Sequence, residues 1–355
     1  MGRRPAGFLI LGLCLLGLRA GSAEIELSPS VESFHEEIGA LARRAAESGA
    51  SAVAGEDGWL FFAPELRHLS VGRFWGDAAT EVSRAGQGAD ALPAIVDFNR
   101  QLEERGIHLI LLPVPVKAAV WPDKISDAFS VEEGKAVPRV DPYHEEFYRV
   151  LREKGVDVLD LSPVFRKQRH TEHGPVHCRQ DTHWSGAGIV KAAGMLADRI
   201  RAMDWFASPE EPRYEREWDE VEITGDLVRM LTEEAEAPPP EKLQLRFVGG
   251  AEAPEVDEES PVLLMGDSHC LVFHSGGDLH ATGAGLPDQL TAELGIPVDL
   301  MGTRGSGSTT VRVDLYRRCA RDSDYLAGKK VVIWCFTARA FTESTQGWRV
   351  LPVSP

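Results

Sequence analysis

The residues best suited to chemistry lie in two short segments far apart in the chain. In "PVLLMGDSHC" (261–270) an apolar, strand-like run stops at a glycine and delivers Ser268 directly after Asp267. A serine hydroxyl alone is a weak nucleophile; it needs an imidazole to take its proton and a carboxylate to hold that imidazole. The segment "CRQDTHWSGAG" (178–188) supplies such a pair in Asp181 and His183. Two residues apart in an extended segment, their side chains point to the same side. Taken singly, each segment has a plainer reading. Gly-Asp-Ser is a common turn, and Asp181 could be a surface acid ahead of a helix start. Together, one at a strand end and the other just before a helix, they outline a serine, histidine and aspartate constellation.

A rival constellation overlaps it. "RHTEHGPVHCRQDTH" (169–183) carries His170, His173, His177, Cys178 and His183, and imidazole and thiolate are good zinc ligands. Three such ligands and a water would make a hydrolytic metal site. The spacing follows no helix-borne zinc motif, so the expectation is a site without metal.

The elements that must position these residues can be read from periodicity. Residues 33–48 read as an amphipathic helix capped by Ser33, with Glu36 completing a capping box. "GEDGWLFF" is a turn into an aromatic strand. "AIVDFNRQLEERG", "DPYHEEFYRVLREKG", "PDQLTAELG" and "STTVRVDLYRRCARD" are helical, and "SGAGIVKAAGMLADRIRAM" is a long helix that Ser185 can cap. Between them "IHLILLPVPV", "VDVLDL", "PVLLMGDS", "IPVDLMG" and "KKVVIWCF" read as short buried strands. Helices alternating with continuously apolar strands indicate an α/β fold with a parallel sheet covered on both faces. In such sheets ligands bind beyond the carboxyl ends of the strands, where Ser268 lies. The one composition break, about 232–260, is acidic and proline-rich around one further strand. It reads as an excursion within the domain.

The start of the chain has Arg3 and Arg4, an apolar run from Ala6 to Leu18 and then small residues, the layout of a secretory signal ending near Ala23. The run is short for a membrane span, and a retained anchor is the alternative. The reading is thus a signal over 1–23 and one domain over 24–355, with 43% hydrophobic residues to supply a core. Without 1–23 the chain loses three arginines and no acid, taking the net charge from -17 to -20. A surface so acidic argues against nucleic acid as a partner. Cys178, Cys270, Cys319 and Cys335 remain, and in an exported protein they allow two disulfides in any of three pairings.

"DTHWSGAGI", the "GDS" after its apolar strand, "GEDGWLFF", "LLPVPVKAAVWPDKI" and "KKVVIWCFTARAF", spread in matching order over roughly residues 50–345, resemble the periplasmic O-acetyltransferases of alginate biosynthesis. These are the AlgJ/AlgX-type domains of the SGNH hydrolase superfamily. The resemblance implies a three-layer SGNH-like fold with a mainly parallel central sheet. It also implies an acetyl group carried by Ser268, with His183 and Asp181 completing the triad. Acetyl groups would arrive from a membrane-bound acyltransferase partner, alongside other exopolysaccharide export components, and no cofactor would be needed. The aspartate–histidine pair precedes the serine, the order of these acetyltransferases and the reverse of most SGNH hydrolases.

This chain departs from the pattern in lacking a Gly-x-Asn block that would bring the usual oxyanion-hole asparagine. The Ser268 N–H can give one donor, and the loop "GTRGSGSTT" (302–310) another, with Gly305 the candidate; its plainer reading is a turn and helix cap. Lys117, at a strand end, could meet an acidic sugar or the donor, or be a solvated loop lysine. Arg339, after the last strand, could position substrate or pair with an acid. Trp184 could stack on a sugar ring or simply pack.

The expectation is an exported, serine-dependent O-acetyltransferase acting on polysaccharide hydroxyls. An acetyl esterase with the same triad and a non-catalytic polysaccharide-binding scaffold are the alternatives. The sequence stops soon after "KKVVIWCFTARAF", leaving no appended carbohydrate-binding module such as some relatives carry, so the polymer itself stays open.

Overall fold

The computed structural model describes residue 2 and residues 25–131, 135–208, 214–232, 235–249 and 254–355. The segment read as a secretory signal or anchor lies outside these, apart from residue 2. Among the described residues no helix is long and apolar enough to cross a membrane.

Five parallel strands form the central sheet: β1 (His108–Val114), β2 (Asp157–Val158), β3 (Val262–Gly266), β4 (Asp299–Gly302) and β5 (Val331–Thr337). Their order is β4-β3-β5-β1-β2, so the chain crosses over between neighbours and each crossover carries a helix. Every residue of β3 and β5 is buried, and so is β1 from Leu109 onward. Strands buried on both faces account for the unbroken apolar runs in the sequence. Each large aliphatic side chain buried there contributes roughly 1.5–3 kcal/mol.

The register decides where chemistry can occur. Gly266 of β3 pairs with Gly302 of β4 and with Cys335 of β5, so the three carboxyl ends emerge side by side. Gly266 is obligatory for a steric reason. A Cβ there would lie 1.6 Å from the Cys335 carbonyl oxygen. The chain can therefore turn off β3 only because nothing projects from that position.

Three local expectations need correction. The first helix runs Pro29–Ser48, capped by Ser28 and not by Ser33. Pro29 suits the first helical position, where its missing N–H is not needed. The stretch Arg216–Ile223, five of whose eight residues are charged, pairs antiparallel with Glu241–Val248, so the strand of the acidic excursion belongs to a long hairpin. Finally, Cys178, Cys270, Cys319 and Cys335 are all free, buried thiols. Cys178 Sγ donates to the Trp184 carbonyl and Cys270 Sγ to the Cys335 carbonyl, so these sulfurs are spent as weak donors inside the core.

Candidate active site

Where β3 ends, Asp267 folds the chain into a 3₁₀ turn, Ser268–Cys270. One Asp267 oxygen accepts the His269 N–H at 2.9 Å and its Nδ1–H at 3.0 Å. The other accepts the Thr337 N–H at 2.9 Å from the end of β5. Burial would raise this carboxyl, but His269, Arg339 and the hydrogen bonds hold it well below its ordinary value. Asp267 is thus a clamp that fixes the Ser268 turn to the sheet edge. Ser268 opens that turn, so its N–H has no intrahelical acceptor.

The partner segment is held just as firmly. His177 and Trp184 form an antiparallel bridge, and the Cys178 N–H donates to the His183 carbonyl at 3.2 Å, closing a loop that carries Asp181. Three charged side chains, Lys117 and Glu241 buried and Asp226 half-buried, fasten this loop. Lys117 Nζ donates to the carbonyls of Leu60, Arg179 and Asp181 at 2.8, 3.1 and 2.8 Å. The Glu241 carboxylate accepts the N–H groups of Arg179 and Gln180. Asp226 takes the Thr182 N–H at 2.8 Å and its hydroxyl at 2.7 Å. Ser185, as expected, then caps the helix Gly186–Arg201 through the Gly188 N–H.

These two supports bring the three distant residues together. His183 Nε2 lies 2.7 Å from Ser268 Oγ, and His183 Nδ1 lies 2.6 Å from Asp181 Oδ1. Because Oδ1 belongs to a carboxylate, Nδ1 carries the hydrogen, and Nε2 is left to accept the Ser268 hydroxyl proton. Asp181 Oδ2 accepts the Asp226 N–H at 2.9 Å and faces His280 Nε2, also at 2.9 Å. Asp181 and His183 are 1% and 5% exposed, while Ser268 is half-buried, so the hydroxyl is the member that solvent can reach.

The electrostatics follow from burial working against charge. Burial alone would push the His183 imidazole down, yet the adjacent Asp181 carboxylate outweighs it and the group ends above its ordinary value. Burial would likewise raise Asp181, but His183 and the donors on both oxygens hold it well below the carboxylate range. The His269 ring lies 4.8 Å from that of His183, and burial pushes its pKa down.

Several residues expected at the substrate turn out to be inside the protein. Lys117 is 1% exposed, and its ammonium is spent on main-chain carbonyls. Trp184 is fully buried, its Nε1–H on the His269 carbonyl at 3.2 Å, so it packs and does not stack on sugar. Arg339 pairs with Glu65 at 2.6 Å and lies over the Phe62 ring, which is the structural reading of that residue. Gly305 sits in an exposed left-handed turn with φ 73°. Its loop touches the Ser268 turn two residues later, at Gly307. A Cβ on Gly307 would lie 2.3 Å from Phe336 Cβ and 3.3 Å from Asp267 Cβ.

The zinc set does not assemble. His173 stacks on Trp218, His170 packs on Trp121, and His177 is tied to Trp121 Nε1 and the Pro115 carbonyl. Among the described residues, Asp181, His183 and Asp226 do place ligand atoms within 4.8 Å of one another. All three are committed to the hydrogen bonds given above.

The profile of the family described as "SGNH hydrolase-like domain, acetyltransferase AlgX" matches residues 52–338. The chain belongs to this family. Among its relatives, the probable alginate O-acetylase AlgJ of Pseudomonas aeruginosa is 29% identical over 207 residues, which is 57% of this chain and 47% of that one. The AlgJ counterpart of Pseudomonas syringae pv. tomato is 25% identical over 229 residues, covering 61% and 53%. The chain therefore spans about half the length of these relatives. The solved O-acetyltransferase domain of Pseudomonas putida AlgJ superposes with a TM-score of 0.60 at 21% identity, covering 82% of this chain and 92% of that one. Pseudomonas aeruginosa AlgX does so at 0.57 and 16%, covering 88% and 66%. These likenesses establish the expected SGNH-like fold with its five-stranded parallel centre.

Sequence reasoning did not find Asp226, Glu241, His269 or His280. For His269 the signal was available, two residues after Asp267. Asp226, Glu241 and His280 come from loops or strands with no periodic relation to the DTH segment.

Proposed function

We propose that this chain transfers acetyl groups to hydroxyls of an exported polysaccharide through an acetyl-Ser268 intermediate. The observation that carries this reading is the unbroken line Ser268 Oγ, His183 Nε2, His183 Nδ1, Asp181 Oδ1, with contacts of 2.7 and 2.6 Å. Membership of the AlgX acetyltransferase family supports acetyl as the group transferred.

In the first half-reaction Ser268 Oγ attacks the donor's acetyl carbonyl while its proton passes to His183 Nε2. The bond to the donor breaks, and the departing group takes that proton from His183. In the second, a sugar hydroxyl gives its proton to His183 and attacks the acetyl-serine; the Ser268–acetyl bond breaks and the proton returns to Oγ. Asp181 holds the imidazole in the required tautomer and stabilises the imidazolium formed in each half. The Ser268 N–H serves as one oxyanion donor, with loop 302–308 and Gly305 the candidate source of a second. Such a donor is typically worth ~3 kcal/mol of barrier.

Residues 24–355 are read as one domain, since a continuous apolar core runs from Val31 to Val353. The site requires no cofactor in this scheme. A signal over residues 1–23 places the domain in the periplasm, where acetyl-CoA is absent. A membrane-bound acyltransferase must then supply the acetyl groups, in company with other exopolysaccharide export components. Alginate or another exopolysaccharide fits as acceptor.

The same triad serves an acetyl esterase, in which water captures the acetyl-enzyme. Incubating the purified protein with 4-nitrophenyl acetate, with and without acidic oligosaccharides, separates the two. Acetylated sugar formed at the expense of free acetate supports transfer; acetate alone at every sugar concentration supports hydrolysis.

A further inference from the structure

We infer that His280 is a positioning residue for the acetyl-transfer site, orienting Asp181 from the side opposite His183; this rests on the function proposed above. His280 Nε2 lies 2.9 Å from Asp181 Oδ2, the oxygen that His183 does not use. With a carboxylate as partner, Nε2 must carry the hydrogen and donate it. The His280 side chain is only 11% exposed, so water does not readily replace this bond.

The backbone identifies the contact as built. His280 has φ 75° and ψ -64°, and the Ala281 N–H donates to the Leu279 carbonyl at 3.1 Å across it. That is the rare, strained hand of the γ-turn, which a residue other than glycine adopts only when its surroundings enforce it. The surrounding segment enforces it. Phe273 also has a positive φ, of 59°, and Gly276 and Gly277 follow at 67° and 62°. The Phe273 N–H donates to the Leu279 carbonyl and the Gly276 N–H to the Ala281 carbonyl, each at 2.9 Å. The His280 ring then leans on the Phe273 ring at 5.8 Å. A relaxed turn at residue 280 would aim the imidazole elsewhere.

A carboxylate held through one oxygen can rotate about its Cβ–Cγ bond, carrying the imidazole of His183 with it. Here Oδ2 is pinned between His280 and the Asp226 N–H, so Oδ1 stays in line with His183 Nδ1. His280 reaches neither Ser268 nor the acetyl group in this scheme; it acts through Asp181.

The test is 4-nitrophenyl acetate turnover by purified His280→Leu, His280→Gln and Ser268→Ala variants, with melting curves for each. Glutamine places an amide N–H where Nε2 stands; leucine cannot donate. The expected result is a fall in kcat of about tenfold for His280→Leu with KM unchanged, and recovery to within about threefold of the parent for His280→Gln. If His280→Leu fails to fold, His280→Asn, whose amide falls short of Asp181, takes its place. Parent-like kcat in the non-donating variant overturns the inference, as does an equal loss in the glutamine variant. Turnover that survives in Ser268→Ala condemns the serine mechanism itself, a different failure.

Discussion

The Lys117 ammonium lies 2.8 Å from the main-chain carbonyl of Asp181, inside the protein. It also binds the carbonyls of Leu60 and Arg179, so one side chain fixes the segment that leads to Asp181. Burial pushes the Lys117 pKa down, with Glu65 and other acids opposing it. Lys117→Met keeps the stem but removes the ammonium donor from three carbonyls, of which that of Arg179 keeps the Leu60 N–H. Destabilisation of roughly 2–4 kcal/mol is expected, together with loss of esterase rate, since unsatisfied buried polar groups cost about 1–3 kcal/mol each before relaxation. Urea unfolding of both proteins measures it; parental stability would show that the carbonyls do not depend on the ammonium.

Asp181→Asn should preserve the fold and remove the anion that selects the His183 tautomer. A loss in kcat on the order of 10³–10⁴ is expected by analogy with other Ser-His-Asp enzymes. Burial would then act on His183 with its chief opponent gone, so the imidazole should titrate below its ordinary value of 6.5. Histidine resonances followed by NMR across pH report that shift directly.

The pH dependence has a definite sign. His183 must be neutral to accept the Ser268 proton, and its folded value is raised above 6.5. The rate should therefore climb with pH through an inflection above 6.5. For stability, the raised His183 value contributes fully below 6.5 and is lost as pH rises through the folded value. Asp181, depressed from 3.8, contributes above 3.8 and loses that contribution as pH falls through its folded value. A profile of kcat/KM against pH that is flat, or that inflects below 6.5, contradicts this account.

Free buried thiols make a further prediction, contrary to what export and cysteine count suggested. Under native conditions Cys178, Cys270, Cys319 and Cys335 should resist a thiol reagent, and burial raises the pKa of Cys178, Cys319 and Cys335. Denaturation without reductant should expose all four. Melting unchanged by reductant agrees; a drop in melting temperature would reveal disulfides.

What could be read from the sequence was local. Asp181 and His183 share a side because they are two apart, and Ser268 sits where an apolar strand stops. Both are statements about a few neighbouring residues, and the structure brings those three side chains together. The supports were out of reach because they bridge long separations: His280 meets Asp181 across 99 positions and Lys117 across 64. A polar pair of that kind leaves no period in the sequence. Lys117 shows the cost most plainly, since a lysine after "PVPV" reads as solvated until the loops that cover it are placed. The hairpin strand Arg216–Ile223 was hidden because its five charged residues leave Trp218, Val221 and Ile223 at spacings of three and two, which breaks the alternation of a strand.

The central claim is that Ser268 carries the acetyl group, and the direct measurement is the mass of the peptide containing it. Protein mixed briefly with an acetyl ester and then quenched in acid, where no neutral imidazole is left to serve either step, should show acetyl on Ser268 and none in the His183→Ala or Ser268→Ala variants. An unmodified Ser268 peptide, with ester turnover proceeding equally in Ser268→Ala, would contradict the account.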